Sequence, residues 1–280
     1  MELQKEINRL FSEQQKSWKQ LNDAIQLQKL VQTKHFEWGS DIKVDIQLNP
    51  ERSASVAANV DKNHIAQRPC FLCSENRPDE QKGIPFLNKY IILVNPFPIL
   101  GNHLTIPMLS HVPQRIGKKI GEMMLLAARL PDYIVFYNGP KCGASAPDHF
   151  HFQAGLKQPV LLSGENELRS CLIIESESLT EIEERFEDVY RFLKSLQPQE
   201  EEPMMNLIAF TTKNKYVLHI FPRKAHRPKQ YFETGSRQLL ISPGALDMAG
   251  LIITTRSRDF EKIKKEDIED IYSQVSMFII

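Results

Sequence analysis

Residues 147–153 read PDHFHFQ. In an extended chain successive side chains point to opposite faces of a sheet. The alternation therefore sends Phe150 and Phe152 to one face, and His149, His151 and Gln153 to the other, about 7 Å between neighbours. Two benzene rings demand burial. A row of imidazoles and an amide demands hydrogen bonds or a use. The segment thus specifies a strand within a sheet, packed on one side and carrying chemistry on the other. The preceding loop, GPKCGASAP, is broken by glycine and proline, and its small residues let backbone amides approach an anion closely. A lone histidine is most often incidental; a His-x-His-x-Gln row behind such a loop is a stronger signal.

The rest of the chain supplies the sheet and its cover. Leu3, Ile7, Leu10, Phe11, Trp18, Leu21 and Ile25 recur mostly at three- and four-residue steps, which predicts one helix over 1–31. Ile42, Val44, Ile46 and Leu48 alternate with polar residues as in a half-buried strand. Residues 49–69 have no period and read as loop. Strands are predicted at 90–94, 103–106, 133–137, 149–156, 239–242 and 251–255, with a hairpin formed by NLIAFTT and YVLHIF. Helices are predicted over 114–130, 179–195 and 264–278, although Gly117 and Gly121 weaken the first. Strands and helices mingle without a βαβ rhythm, so the fold class is α+β, an antiparallel sheet flanked by helices. The acidic, proline-containing break QPQEEEP divides the chain into 1–196, the N-terminal helix with the PDHFHFQ domain, and 197–280, an α+β half packing on it. NKYIILVNPFP at 88–98 and NKYVLHIFPRKAH at 214–226 begin alike, which raises two related halves.

Formal net charge is zero, so no overall field draws the chain to nucleic acid or an anionic membrane, and neither is an expected partner. No apolar run approaches the roughly 20 residues of a membrane span. The charged opening MELQKEINRL lacks the apolar centre of a signal peptide, and a cytoplasmic location is expected. Two of the four cysteines form Cys70-Phe71-Leu72-Cys73, which suits metal or redox work in a reducing compartment. The pair reads as half of a tetrahedral zinc site, against the plainer reading of two buried thiols. Cys142 and Cys171 have no partner pattern.

YNGPKCGASAPDHFHFQ resembles the active-site segment of the histidine-triad and galactose-1-phosphate uridylyltransferase superfamily. ILVNPFP and GNHLTIP follow the superfamily's order. VPQRI and SPGALDMAGLIITTRSRDFEKI resemble the GDP-hexose (GDP-L-galactose-type) phosphorylase branch, and the diadenosine tetraphosphate phosphorylases are a second near branch. The resemblance covers roughly 40–160 and, more weakly, 205–263.

It implies a HIT-like fold and a nucleotidyltransferase or phosphorylase working through a nucleotidyl-histidine. The substrate would be a nucleoside diphosphate sugar or a dinucleotide, and the acceptor phosphate or a sugar phosphate. His151 becomes the nucleophile, and Gln153 and Ser145 stabilise charge on the phosphate. Asn95 falls where the superfamily contacts ribose. Asn138 positions substrate or His151, and Gly143 belongs to the phosphate-approaching loop. With no net charge, the phosphates need local cations, for which Arg52, Arg223 and Lys224 are candidates. The implied zinc ligands are Cys70, Cys73, His111 and His149, with His103 the rival of His111; a four-ligand site of this kind is structural. A HIT-type hydrolase and a non-catalytic, zinc-stabilised nucleotide-binding protein are the alternatives. Gln153 speaks against the first, because the hydrolases carry histidine there; the His151–Gln153 pair speaks against the second. The sequence leaves a homodimer open.

Overall fold

The protein is described by a computed structural model that covers residues 2–162 and 166–279. In chain order the strands are β1 (Gln32–Trp38), β2 (Ile42–Leu48), β3 (Gly83–Phe86), β4 (Tyr90–Val94), β5 (Leu104–Pro107), β6 (Tyr133–Asn138), β7 (His151–Leu156), β8 (Leu172–Ser176), β9 (Met205–Thr212), β10 (Lys215–Pro222) and β11 (Leu251–Thr254). Eight of them form one antiparallel sheet in the order β3-β4-β5-β7-β6-β9-β10-β8. The other three form a small sheet, β1-β2-β11, in which β11 runs parallel to β2. The α+β class and the antiparallel sheet are as expected, and β7 lies near the middle of the sheet.

Both faces of the large sheet are covered, which explains why β6 is buried along its whole length rather than alternating. One face packs Ile92, Tyr137 and Phe152 against helices α3 (Ile120–Arg129) and α4 (Leu179–Leu196), through Met123, Met124, Ile182 and Phe186. Phe150 joins this layer, so the two phenylalanines lie in the core as the alternation required. The opposite face packs Ile134, Phe136 and Phe210 against the small sheet and helix α5 (Lys265–Val275), through Ile46, Ile252 and Tyr272.

β9 pairs with β6, so the large sheet runs on from the segment before the acidic break to the segment after it. The break itself turns inward at Glu202, whose carboxylate accepts the Ile116 N–H at 2.6 Å and the Tyr137 hydroxyl at 2.5 Å. β4 and β10, which carry the two NKY openings, each lie second from opposite edges of the sheet.

Several elements differ from expectation, each for a local reason. The helix expected over 1–31 is two, α1 (Glu2–Ser17) and α2 (Lys19–Gln28), separated by extended backbone at Trp18. That break buries the indole beside Leu10, Leu21 and Val94; Met1 lies outside the described residues. The helix expected from 114 starts at Ile120, because Gly117 adopts φ +44° and residue 114 is engaged elsewhere. Residues 239–242 form no ladder: the Leu240 N–H donates to Asp259 at 3.1 Å and the Leu239 N–H to the Gln230 carbonyl at 3.0 Å. β1, β3 and β8 escaped prediction; all three are edge strands, half exposed, so packing left only a faint alternation in their sequence.

Candidate active site

The ladder between β6 and β7 ends at Phe136–Gln153, and the two strands splay beyond it. A cavity of about 560 Å³ opens at this splay, against the segments around Arg52, Arg68 and Asn76. Arg52, Asn95, Asn138, Gly143, Ser145, His151 and Gln153 all line it, whereas Arg223 and Lys224, the other two candidate cations, do not. Phe71, Leu72, Pro78 and Leu93 supply an apolar part of the same wall.

His151 is the first residue of β7 and is 5 % exposed, open to the cavity alone. Its Nδ1 lies 2.9 Å from the His149 carbonyl oxygen. A carbonyl only accepts, so Nδ1 carries the proton and Nε2 keeps its lone pair. Burial lowers the His151 pKa to about 4, which holds the imidazole neutral and nucleophilic at neutral pH.

Gln153 is oriented by a residue whose role the sequence reading missed. The buried His103 accepts the Ile99 N–H on Nδ1 at 3.0 Å, so its Nε2 carries the proton and donates to Gln153 Oε1 at 3.0 Å. With its oxygen held there, Gln153 turns its two amide N–H donors to the cavity. Burial and the nearby Arg52 charge lower the His103 pKa to about 3, so it works as a neutral donor. His103 is thus committed elsewhere, and of the two rivals it is His111 that stands with Cys70, Cys73 and His149.

Arg52 sits in a short helical turn (Pro50–Arg52) and donates to the Phe97 carbonyl at 3.0 Å. Burial lowers its pKa only to about 10, so it stays charged. Arg223 is not a phosphate ligand: it is fully buried and donates to Val275, Asn206, Pro243, Ala225 and His226, which uses all five N–H groups. Asn138 Oδ1 accepts from Asn206 at 2.9 Å and from the Ala245 N–H at 2.7 Å, leaving its Nδ2 to meet a ligand. Asn95 donates to Thr105 at 2.9 Å and accepts the Phe97 N–H at 2.8 Å, closing a turn at the cavity wall. Gly143 has φ +92°, and a Cβ there would stand 2.7 Å from Gly244 Cα, so only glycine lets the two loops meet.

His149 leaves this face. It lies in the turn before β7, its N–H bonded to the Ala146 carbonyl, and it faces the cysteines. The ligand atoms of Cys70, Cys73, His111 and His149 all lie within 4.8 Å of one another, and the four could hold a metal ion. The Cys70 Sγ–His149 Nδ1, Cys73 Sγ–His111 Nδ1 and Cys73 Sγ–His149 Nδ1 distances are 3.3, 3.2 and 3.5 Å. Bonds of about 2.3 Å to sulfur and about 2.0 Å to nitrogen put these atoms about 3.5 Å apart around tetrahedral zinc, so the donor set fits. Its outer groups fit too. His149 Nε2 donates to the Met108 carbonyl at 2.8 Å, which frees Nδ1 for a metal. Asp148 stands 3.7 Å from His111 Nε2 and is paired with Arg68 at 2.6 Å.

Residues 10–156 match the family described as Domain of unknown function (DUF4922), over more than half of the chain. The chain belongs to that family. Among solved structures it is similar to yeast Ap4A phosphorylase Apa2, with a TM-score of 0.63 and 15% identity, covering 92% of this chain and 96% of that one. Structures of Apa2 in complex with Ap4A and with AMP match with TM-scores of 0.56 at 15% and 17% identity, covering 92% of this chain and 96% and 94% of theirs. At such identity the likeness is one of fold. It supports the α+β, antiparallel-sheet architecture that the resemblance implied. No curated protein matches the sequence. Among the described residues, no helix is long and apolar enough to cross a membrane.

Proposed function

We propose that this DUF4922 protein is a nucleotidyltransferase of the phosphorylase type, acting on a dinucleotide or a nucleoside diphosphate sugar. The observation that carries the reading is the pairing of a neutral His151, its Nε2 free, with an inward-turned Gln153 amide and a charged Arg52 in one cavity. His151 Nε2 attacks the α-phosphorus, and the bond from phosphorus to the bridging oxygen breaks. A nucleotide or sugar phosphate leaves. An oxygen of inorganic phosphate then attacks the same phosphorus, the phosphorus–nitrogen bond breaks, and the imidazole is restored with a nucleoside diphosphate as product. Splitting one displacement into two makes each easier. Gln153, Ser145 and the Gly143 loop meet charge on the equatorial oxygens, and Arg52 supplies the cation that a chain of zero net charge lacks globally.

The base would lie against Phe71, Leu72 and Leu93, with Asn95 at the ribose between base and phosphate. The Apa2 structures with Ap4A and AMP support a ligand of this kind. The metal would be one zinc, held by Cys70, Cys73, His111 and His149, and its work would be structural, because four protein ligands fill a tetrahedral site. The test is to incubate the protein with Ap4A or GDP-glucose, with and without inorganic phosphate, and to follow release of ADP or GDP. Release that requires phosphate is expected. Release of the monophosphate alone, at a rate indifferent to phosphate, would assign a hydrolase instead.

A further inference from the structure

We infer that Gln114 is a positioning residue for the nucleophile: its side-chain amide takes the place of the β6 partner that His151 lacks on its hydrogen-bonding side. This rests on the proposed role of His151. In the register of the central ladder, the pair after Phe136–Gln153 on the hydrogen-bonding side would be Asn138–His151, yet the strands part before reaching it. The neighbour on the other side gives no help, since Met108 and Phe150 make the bond there and His151 faces away from it. His151 therefore begins β7 with both backbone polar groups aimed into the splay. An unmade backbone hydrogen bond in a buried site is costly, so something must fill it.

Gln114 does. It is fully buried and belongs to no helix or strand. Its Oε1 accepts the His151 N–H at 2.8 Å. Its Nε2 donates at 3.0 Å to the His151 carbonyl and at 3.0 Å to the Asn138 carbonyl. One primary amide thus acts as a single residue of strand wedged between β6 and β7. Its own backbone N–H is tied to the Pro147 carbonyl at 3.0 Å, at the start of the segment that carries His149 and His151. The wedge has two effects. It fixes the backbone from which His151 aims Nε2, and it keeps β6 and β7 apart where the cavity opens between Asn138, His151 and Gln153. Without it, either three buried groups lose their partners or the ladder closes by one rung and draws His151 toward β6. Both move the nucleophile while leaving the cavity's Arg52, Asn95 and apolar wall in place.

The variant Gln114→Glu keeps the shape and the acceptor but sets an oxygen against two carbonyls. With Ap4A and GDP-glucose labelled at the α-phosphorus, the single-turnover labelling rate of this variant should fall about 100-fold, as displacement by about an ångström does. The Kd for AMP or GMP should stay within about threefold of wild type, because Gln114 does not itself line the cavity and bonds only the backbone of His151 and Asn138, away from Arg52, Asn95 and the apolar wall; this split is one a general loss of structure would not produce. A labelling rate equal to wild type, or rate and affinity lost together, would overturn the inference. A second measurement needs neither a variant nor turnover. Residue-resolved hydrogen exchange on the wild type should show the His151 amide protected as well as Phe152, though its N–H is bonded to the Gln114 side chain and to no neighbouring strand. Rapid exchange at His151 would remove the wedge, whereas a protected His151 in a protein that takes no label would refute the proposed reaction and leave the anchoring intact.

Discussion

His149 and His151 stand two residues apart, yet they belong to regions built on opposite plans. His149 sits in a cluster whose members are one another's partners: thiols and imidazoles gathered within 4.8 Å, with the polypeptide acting as a frame. His151 sits in a cavity whose members scarcely touch each other. Each is held from behind, His151 by the His149 carbonyl and Gln114, Gln153 by His103, and Asn138 by Asn206 and Ala245. The first arrangement spends its polar atoms on itself and suits a part that stabilises. The second leaves the front of each group free and suits a part that reacts. Damage to the first should therefore appear in stability, and damage to the second in rate.

The largest effect should come from His151→Ala. Turnover should fall at least about 1,000-fold, the scale on which removal of a covalent nucleophile acts, while melting temperature and nucleotide affinity remain near wild type. A variant that unfolds, or one that still turns over, breaks the division of labour. Cys70→Ser should give the opposite pattern. Zinc content by elemental analysis should drop from about one per chain, and the fold should lose several kcal/mol, since metal binding to such a site is folding free energy. Full stability without metal would reduce the cluster to two packed thiols. Arg52→Gln should lower kcat/KM for Ap4A or GDP-glucose by about 10- to 100-fold, the range for a charge-assisted hydrogen bond, with stability little changed.

The smallest effect lies away from both regions. Burial raises the Glu202 pKa to about 7 from the usual 4.5. The folded state then holds a proton that the unfolded state releases, so its stabilisation is full below pH 4.5 and is lost as pH rises to about 7. Stability measured at pH 5 and pH 8 should differ by about 2 kcal/mol more in wild type than in Glu202→Gln, which has no carboxyl to ionise. Equal pH dependence in the two proteins would show that Glu202 is charged throughout.

What the sequence disclosed follows the same division. Residues that meet through side chains at fixed spacing were legible: the cysteine pair, the alternating segment, and the ligand set that the resemblance supplied. The core strands were legible too, since burial on both faces gives them short apolar runs, as in β4 and β9. Residues that act on backbone were not. Gln114 stood inside a predicted helix, and nothing in its neighbours signals an amide between two strands. His103 stood as the rival of His111 for the third ligand position because it sits on the strand itself; its real partners, Ile99 N–H and Gln153, meet it only in the folded sheet. Arg223 looked like a free cation because the sequence could not show the five acceptors that surround it. A signal was available for His103: it lies one residue before β5, the strand that pairs with β7, and Thr105 stands opposite Gln153.

The central claim is that His151 carries the nucleotide covalently between donor and acceptor. Ap4A and GDP-glucose, each labelled at the α-phosphorus, are mixed with the protein in the absence of phosphate, and the label is located by peptide mapping. The account predicts label on the peptide that contains His151, through a bond stable to base and broken by acid, discharged as ADP or GDP when phosphate is added and absent from His151→Ala. A protein that releases ADP or GDP with phosphate but never carries label, or that carries it equally well in His151→Ala, would contradict the account.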